Sequence, residues 1–338
     1  MDFLKCFSVL FYAWLHFGAG LLLRPADLKR SSVDAPLIIA GVGDSGTRGV
    51  KELMEKLGVD MCWDTNDSQD NQRTDPRLHP KVIQHLRNIL RHKHRISLSA
   101  YQEDASSFQA LVRWQKQQVS STYRCAKSFA VKPALWGFKN PQQLYMWPVS
   151  EYAFGGNSRL LVVLRDPRDI CTSKNQNQFK TYCDSVLGRP CANDEDDCYS
   201  FWAKLFSDFL DEHSMKDTVK FVRIEDLSVS EPALSRRTVQ CLLSFANIEE
   251  RSSLFSSLLS YLPSALAGPD EIQHALEPLH AHRSSYLGWH YNATEESRMA
   301  HVRHTKDHHD PLVQETMLRL GYDPNSFKLL TPREQGVC

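Results

Sequence analysis

The run Pro36-Leu37-Ile38-Ile39-Ala40-Gly41-Val42 constrains this chain more than any other feature. Seven residues without a polar side chain stop at Gly43, and a helical pattern follows at Val50, Leu53, Met54 and Leu57. A continuous apolar run predicts a strand buried on both faces. Such a strand belongs to a parallel sheet covered by helices. The rest of the chain repeats the alternation. Short strands are expected at Gly58–Trp63, Leu135–Phe138, Arg159–Leu164 and Val219–Ile224. Helices are expected near Lys81–His92, Ala105–Ala126, Tyr199–His213 and Leu234–Phe245. The fold class is therefore α/β, a parallel sheet flanked by helices. Lys174–Cys198 is polar and cysteine-rich and reads as a surface insertion, and the chain from His274 reads as irregular.

Between the first strand and its helix lies Gly41-Val42-Gly43-Asp44-Ser45-Gly46-Thr47-Arg48. A strand–glycine loop–helix junction points backbone N–H groups and a helix dipole at one spot, which suits phosphate. Three readings fit the glycines. A Walker A loop has the glycine spacing, but Thr47 stands where the lysine is required. A dinucleotide fold has Gly41, Gly43 and Gly46 as G-x-G-x-x-G, with Asp60 or Asp64 for a ribose. A loop for a 5′-phosphosulfate is the third. A second junction helps to choose. Arg165-Asp166-Pro167-Arg168-Asp169 follows the Leu160–Leu164 strand and carries the marks of a helix start. Asp166 caps, Pro167 suits the first helical position and Asp169 faces the first turn. Two anion sites at two strand ends suit a nucleotide phosphorylated at both its 5′ and 3′ ends. NAD has no such need.

On these residues the chain resembles the sulfotransferases that use 3′-phosphoadenosine 5′-phosphosulfate (PAPS). Ser45–Arg48 resembles the family's 5′-phosphosulfate loop, and Arg165 to Ser173 resembles its 3′-phosphate segment. Trp136–Pro141 is similar to its intervening Lys-x-Pro segment. Phe221–Leu227 is similar to its Arg-Tyr-Glu-Asp-Leu strand end, with Ile224 in place of the tyrosine. The resemblance runs from about Pro36 to Ile248. It implies a P-loop-NTPase-like sulfotransferase fold and PAPS as donor. The acceptor it implies is a hydroxyl or amine, on a glycan above all. Donor contacts are expected from Gly43, Asp44, Ser45, Gly46, Thr47, Arg48, Arg165 and Ser173.

One residue departs from the family pattern. Asp44 stands where a Lys or Arg is usual. A carboxylate about 4 Å from a phosphate charge adds roughly 4 kcal/mol of repulsion at an effective dielectric near 20. Asp44 is therefore expected to turn away, capping the helix, or to serve another purpose. Lys139 and Arg48 are the candidates for the missing positive charge, and Asp64 for the general base. The plainer alternatives are a surface lysine in a turn, a first-turn ion pair and a solvated loop aspartate. A catalytically weak binding protein is the second functional reading, and a Rossmann-type NAD oxidoreductase the third.

Lys plus Arg equals Asp plus Glu at 40 each, so no global basic field points to nucleic acid. Nine cysteines without a CxxC pair favour disulfides over zinc, with Cys6 or Cys338 as the spare of an odd count. His301, His304, His308 and His309 lack the glutamate of a zinc helix, so no metal is expected. Cys6–Leu23 carries no charge and as a helix spans roughly 27 Å, enough for a signal anchor or a cleaved signal peptide. Lys5 before it and Arg24, Lys29 and Arg30 after it oppose a lumenal C-terminus, whereas the cysteines and the sequons at Asn66 and Asn292 favour one. The expected organisation is an anchor or signal peptide plus stem at 1–34, one domain at 35–330 and a tail at 331–338. The expected location is the Golgi membrane, with secretion after cleavage as the alternative.

Overall fold

A five-stranded, all-parallel sheet carries the fold, with spatial order β2-β3-β1-β4-β5. Its strands are β1 (Leu37–Gly41), β2 (Asp60–Met61), β3 (Trp136–Lys139), β4 (Arg159–Leu164) and β5 (Val219–Arg223). This computed structural model describes residues 36–61, 71–93, 95–126, 135–173, 176–228, 232–246, 276, 310–333 and 336–338. All of them belong to one unit, Ala35–Cys338. The anchor segment, Asp64, both sequons and the histidines from His301 to His309 lie outside the described residues. Among the described residues, no helix is long and apolar enough to cross a membrane.

The parallel α/β class expected from the apolar runs is observed, in the P-loop-like form. β1 sits at the centre, and each of its residues is buried, as a strand covered on both faces must be. Alternation assigns its side chains to two cores. Leu37 and Ile39 face Val50, Leu53 and Met54 of α1 (Thr47–Lys56). Ile38 and Ala40 face the other way. There they meet α4 (Ala105–Ala126) and α5 (Gln143–Ala153), whose neighbours include α2 (Pro80–Lys93) and α3 (Leu98–Gln102).

The strand order excludes the NAD reading. A dinucleotide fold places its second strand directly beside the first, so that a carboxylate at the second strand's end reaches the ribose. Here β3 lies between β1 and β2. At about 4.8 Å per strand, Asp60 stands two strands from the glycine loop. The three glycines match a pattern whose topology this chain lacks.

Other expectations need correcting. Lys174–Cys198 is not a surface insertion. It holds α7 (Asn177–Leu187), whose Gln178, Phe179, Tyr182 and Cys183 are buried. Its polarity comes from the opposite helix face and from the turn at Gly188. The disulfide Cys171–Cys198 joins α6 (Pro167–Cys171) to α8 (Glu195–His213), and Cys183–Cys191 closes a short loop between α7 and the stretch that follows it. The region beyond His274 contains α11 (Pro311–Leu320), capped by Asp310 with Pro311 in the first turn and ended by Gly321 at φ +82°. Nor is Cys338 spare, because it pairs with Cys241 of α10 (Pro232–Phe245). Beside it, Phe221 donates its N–H to the Gly336 carbonyl at 2.9 Å, and Cys338 donates to the Phe221 carbonyl at 2.8 Å. The chain end thus covers the outer edge of β5. Three disulfides among the described residues mark a protein of an oxidising, secreted or lumenal compartment.

Candidate active site

In a parallel sheet all strands end on the same side, so the loops after β1, β3, β4 and β5 converge there. The glycine loop turns sharply. Asp44 lies at φ +59° and Gly46 at φ +88°. A Cβ on Gly46 would come within 2.7 Å of Ile224, which is the physical reason for a glycine at that position. Gly46 is the N-cap of α1 and, as a glycine, offers no side chain to cap its first amide groups. The Ser45 hydroxyl is buried and, among the described residues, has no hydrogen-bond partner. A glycine-capped helix start next to an orphaned hydroxyl fits a phosphate-bearing ligand.

The structure brings Arg165 directly to this loop. Its Nη1 donates to the Asp44 carbonyl at 2.7 Å, and its Nε to Asp169 at 3.3 Å. Arg165 is 5% exposed. Among the described residues its Nη2 makes no hydrogen bond. As expected, Asp166 caps α6 by accepting from the Arg168 N–H, with Pro167 in the first turn. Arg168 is structural. It is fully buried, forks onto Asp166 at 2.6–2.8 Å, donates to the Ser326 carbonyl and lies over the Phe327 ring at 4.1 Å.

The other expected residues fall as follows. Gly43 and Thr47 are buried, and Asp44 is half-buried. Lys139 ends β3 at 4% exposure, opposite Ile39 of β1, so it is no surface lysine. Parallel pairing puts both side chains on the face that α1 covers. Arg48 is exposed on the first turn of α1. Ser173 is half-buried just past α6, where its carbonyl and hydroxyl accept from Gln176 Nε2 at 3.0 and 3.5 Å. Among the described residues, no group of three His, Cys, Asp or Glu could hold a metal ion.

Several residues support the site from behind, and of these Gln178 and Tyr322 gave no sequence signal. Gln178 of the supposed insertion reaches 137 residues back to donate to the Gly41 carbonyl at 3.1 Å. Glu225, in α9 (Ile224–Ser228), accepts from the Asp166 N–H at 2.8 Å and from the Tyr322 hydroxyl at 3.1 Å. This carboxyl braces the turn from which Arg165 emerges. Arg223 forks onto Asp226 at 2.7–2.9 Å and donates to the Gly321 and Leu330 carbonyls. The segment around Gly321 to Leu330 therefore clamps two strand ends at once. The Glu-Asp pair was visible in the sequence, but its partner Tyr322 lies 97 residues further on.

Burial pushes the Glu225 carboxyl up to about 7, Asp166 and Asp169 add repulsion, and the Asp166 N–H opposes both. A folded-state value above the unfolded one means the folded chain holds more protons between about pH 4.5 and 7. The contribution of Glu225 to stability should thus fall as pH rises through that window, and stay flat above it. Urea unfolding at pH 5 and pH 7.5 should show a smaller difference in Glu225→Gln than in the parent. Equal differences would mean that Glu225 titrates normally.

No family model and no curated protein sequence matches the chain. Among solved structures, it is similar to the sulfotransferase STF9 from Mycobacterium avium, at 16% identity over 76% of this chain and 78% of that one. The TM-score is 0.33, a level at which the likeness carries no functional argument.

Proposed function

We propose that this chain is a PAPS-dependent sulfotransferase acting on a hydroxyl or amine of a glycan. On this reading it works in the Golgi lumen, anchored by residues 1–34 or released from them by cleavage. The observation that carries the reading is the 2.7 Å bond from Arg165 to the Asp44 carbonyl. It joins two anion sites, at the ends of β1 and β4, into one. Donors spread over both strand ends suit a nucleotide phosphorylated at both its ends. The three disulfides support the compartment.

In the proposed reaction the acceptor lone pair attacks sulfur in line. The bond from sulfur to the bridging phosphate oxygen breaks, and its electron pair leaves on 3′-phosphoadenosine 5′-phosphate. The acceptor proton passes to a base, for which Asp64 is proposed. Amide groups of Gly46, Thr47 and Arg48 would hold the 5′-phosphate, beside Gly43, Ser45 and Asp44. Arg165 and Ser173 would hold the 3′-phosphate. Lys139 and Arg48 would offset charge on the leaving group. A second reading, a protein that binds the nucleotide but turns over poorly, is favoured by Asp44 in the loop.

Calorimetric titration with 3′-phosphoadenosine 5′-phosphate tests the donor. Saturable binding is expected, weakened about 10- to 100-fold in Arg165→Ala by loss of charged hydrogen bonds. Because Arg165 also holds the loop, Ser173→Ala provides an independent check and should weaken binding more mildly. No binding by the folded parent protein, or unchanged affinity in both variants, would overturn the assignment.

A further inference from the structure

Charge is neutral over the whole chain but sharply segregated along it. Residues 76–150 hold twelve Lys or Arg and two acidic residues, Glu103 and Asp104. Much of this excess lies on α2 and α4, which pack side by side. His85 Nδ1 and the Ser107 hydroxyl meet across the seam at 2.8 Å. On α2, Val82, Leu86, Ile89 and Leu90 are buried, whereas Lys81, Gln84, Arg87, Asn88, Arg91 and His92 are exposed or nearly so. At 100° per residue the outward group forms one continuous face. Arg87 and Arg91 stand one turn apart, about 6 Å along the axis. On α4, Arg113 and Lys116 are exposed as well.

None of Lys81, Arg87, Arg91, Arg113 and Lys116 has an ion-pair partner among the described residues. Arg87 gives one hydrogen bond, from Nε to the Thr181 carbonyl at 3.2 Å, and keeps its charge uncompensated. The two acids are otherwise engaged. Asp104 accepts from Ser106 and Ser107 at the start of α4, and Glu103 also has a partner. Arg113 and Lys116 lie about 13 and 18 Å along the helix from Asp104. Like charges left this close together repel one another, and an anionic partner relieves the repulsion.

We infer that the outer face of α2 and α4 docks an anionic polysaccharide, of the sulfated or uronate-bearing kind. Three anionic macromolecules could meet such a face, and two fit poorly. Nucleic acid is scarce in the oxidising, secreted or lumenal compartment that three disulfides mark. A membrane-surface helix needs apolar side chains beside its cations, and the outward face of α2 has none. A flexible chain bearing regularly spaced anions needs only a rigid row of unpaired cations. The inference stands on charge and compartment, not on the donor assignment. If both hold, the face would favour polyanionic acceptors over neutral ones.

The test uses the full chain with its disulfides intact, and heparin and dextran as charged and uncharged polysaccharides. Heparin should bind in a salt-dependent manner and dextran should not. The variant Arg87→Glu/Arg91→Glu/Arg113→Glu/Lys116→Glu should bind heparin about 100-fold more weakly. Arg91→Glu alone should lose about tenfold, which guards against a misfolded multiple variant. Arg236→Glu/Arg237→Glu, on the exposed face of α10, should bind like the parent. Unchanged heparin affinity in the fourfold variant would overturn the inference. So would tighter binding of the parent to duplex DNA or to phosphatidylserine vesicles. Heparin binding without any nucleotide binding would sink the donor assignment alone and leave this face standing.

Discussion

Replacing Cys241 with serine should lower the stability of the folded chain by about 4–5 kcal/mol. The Cys241–Cys338 bond spans 97 residues, the longest loop closed by any disulfide among the described residues. A cross-link of that span removes much of the freedom of the unfolded chain, whereas the 8-residue Cys183–Cys191 bond removes about half as much. The bond also holds a structural element in place. It pins residues 336–338 along β5, where they satisfy the N–H and C=O of Phe221. Without it that pairing frays, and the sheet gains an open edge. Denaturant unfolding without reductant measures the loss directly, and the melting temperature should fall by about 10 °C. A loss below about 1 kcal/mol would show that the native contacts of the tail, not the cross-link, hold it.

Lys139→Ala should reduce turnover by about 10²–10³-fold on the sulfotransferase reading, with little change in donor affinity. The glycine loop has an aspartate where a cation is usual, and Arg48 is exposed to solvent. Lys139 is the buried cation at the end of the strand next to β1. A preorganised charge shielded from water acts more strongly on a leaving phosphate than a solvated one. Burying a lysine costs free energy, so substitution by alanine need not weaken the fold. Donor affinity measured alongside turnover separates the two effects. Lys139→Arg should recover part of the rate. Unchanged turnover in Lys139→Ala would remove this residue from the chemistry. A parent chain that binds donor but transfers nothing would favour the second reading.

Much of the fold was legible because it is written locally. Helix Ala105–Ala126 and strand Arg159–Leu164 were bounded correctly from pattern alone. The Asp166-Pro167 helix start was read from capping chemistry, and the same two rules would have found α11 at Asp310-Pro311. The reading of Lys174–Cys198 failed for a definable reason. α7 buries Gln178, Phe179, Tyr182, Cys183, Ser185 and Val186, and Gln178, Cys183 and Ser185 among them are polar or sulfur-bearing. Average polarity hid a helix whose glutamine is a core residue. The glycine loop was legible as an anion site, yet the glycines alone fitted three folds.

By itself, then, the sequence determined the five strands and several of the long helices, and that two helix starts near glycine and arginine could each take an anion. Side-chain spacing and capping act over a few residues, so they survive in the one-dimensional text. Only the tertiary structure decided that β3 lies between β1 and β2, which ended the NAD reading. It also brought Arg165 to Asp44 across 121 residues, Gln178 to Gly41 across 137, and Cys338 to Cys241. Such partners are chosen by which elements become neighbours when apolar faces are buried together. That choice is made by the whole core at once, and no short stretch of sequence records it.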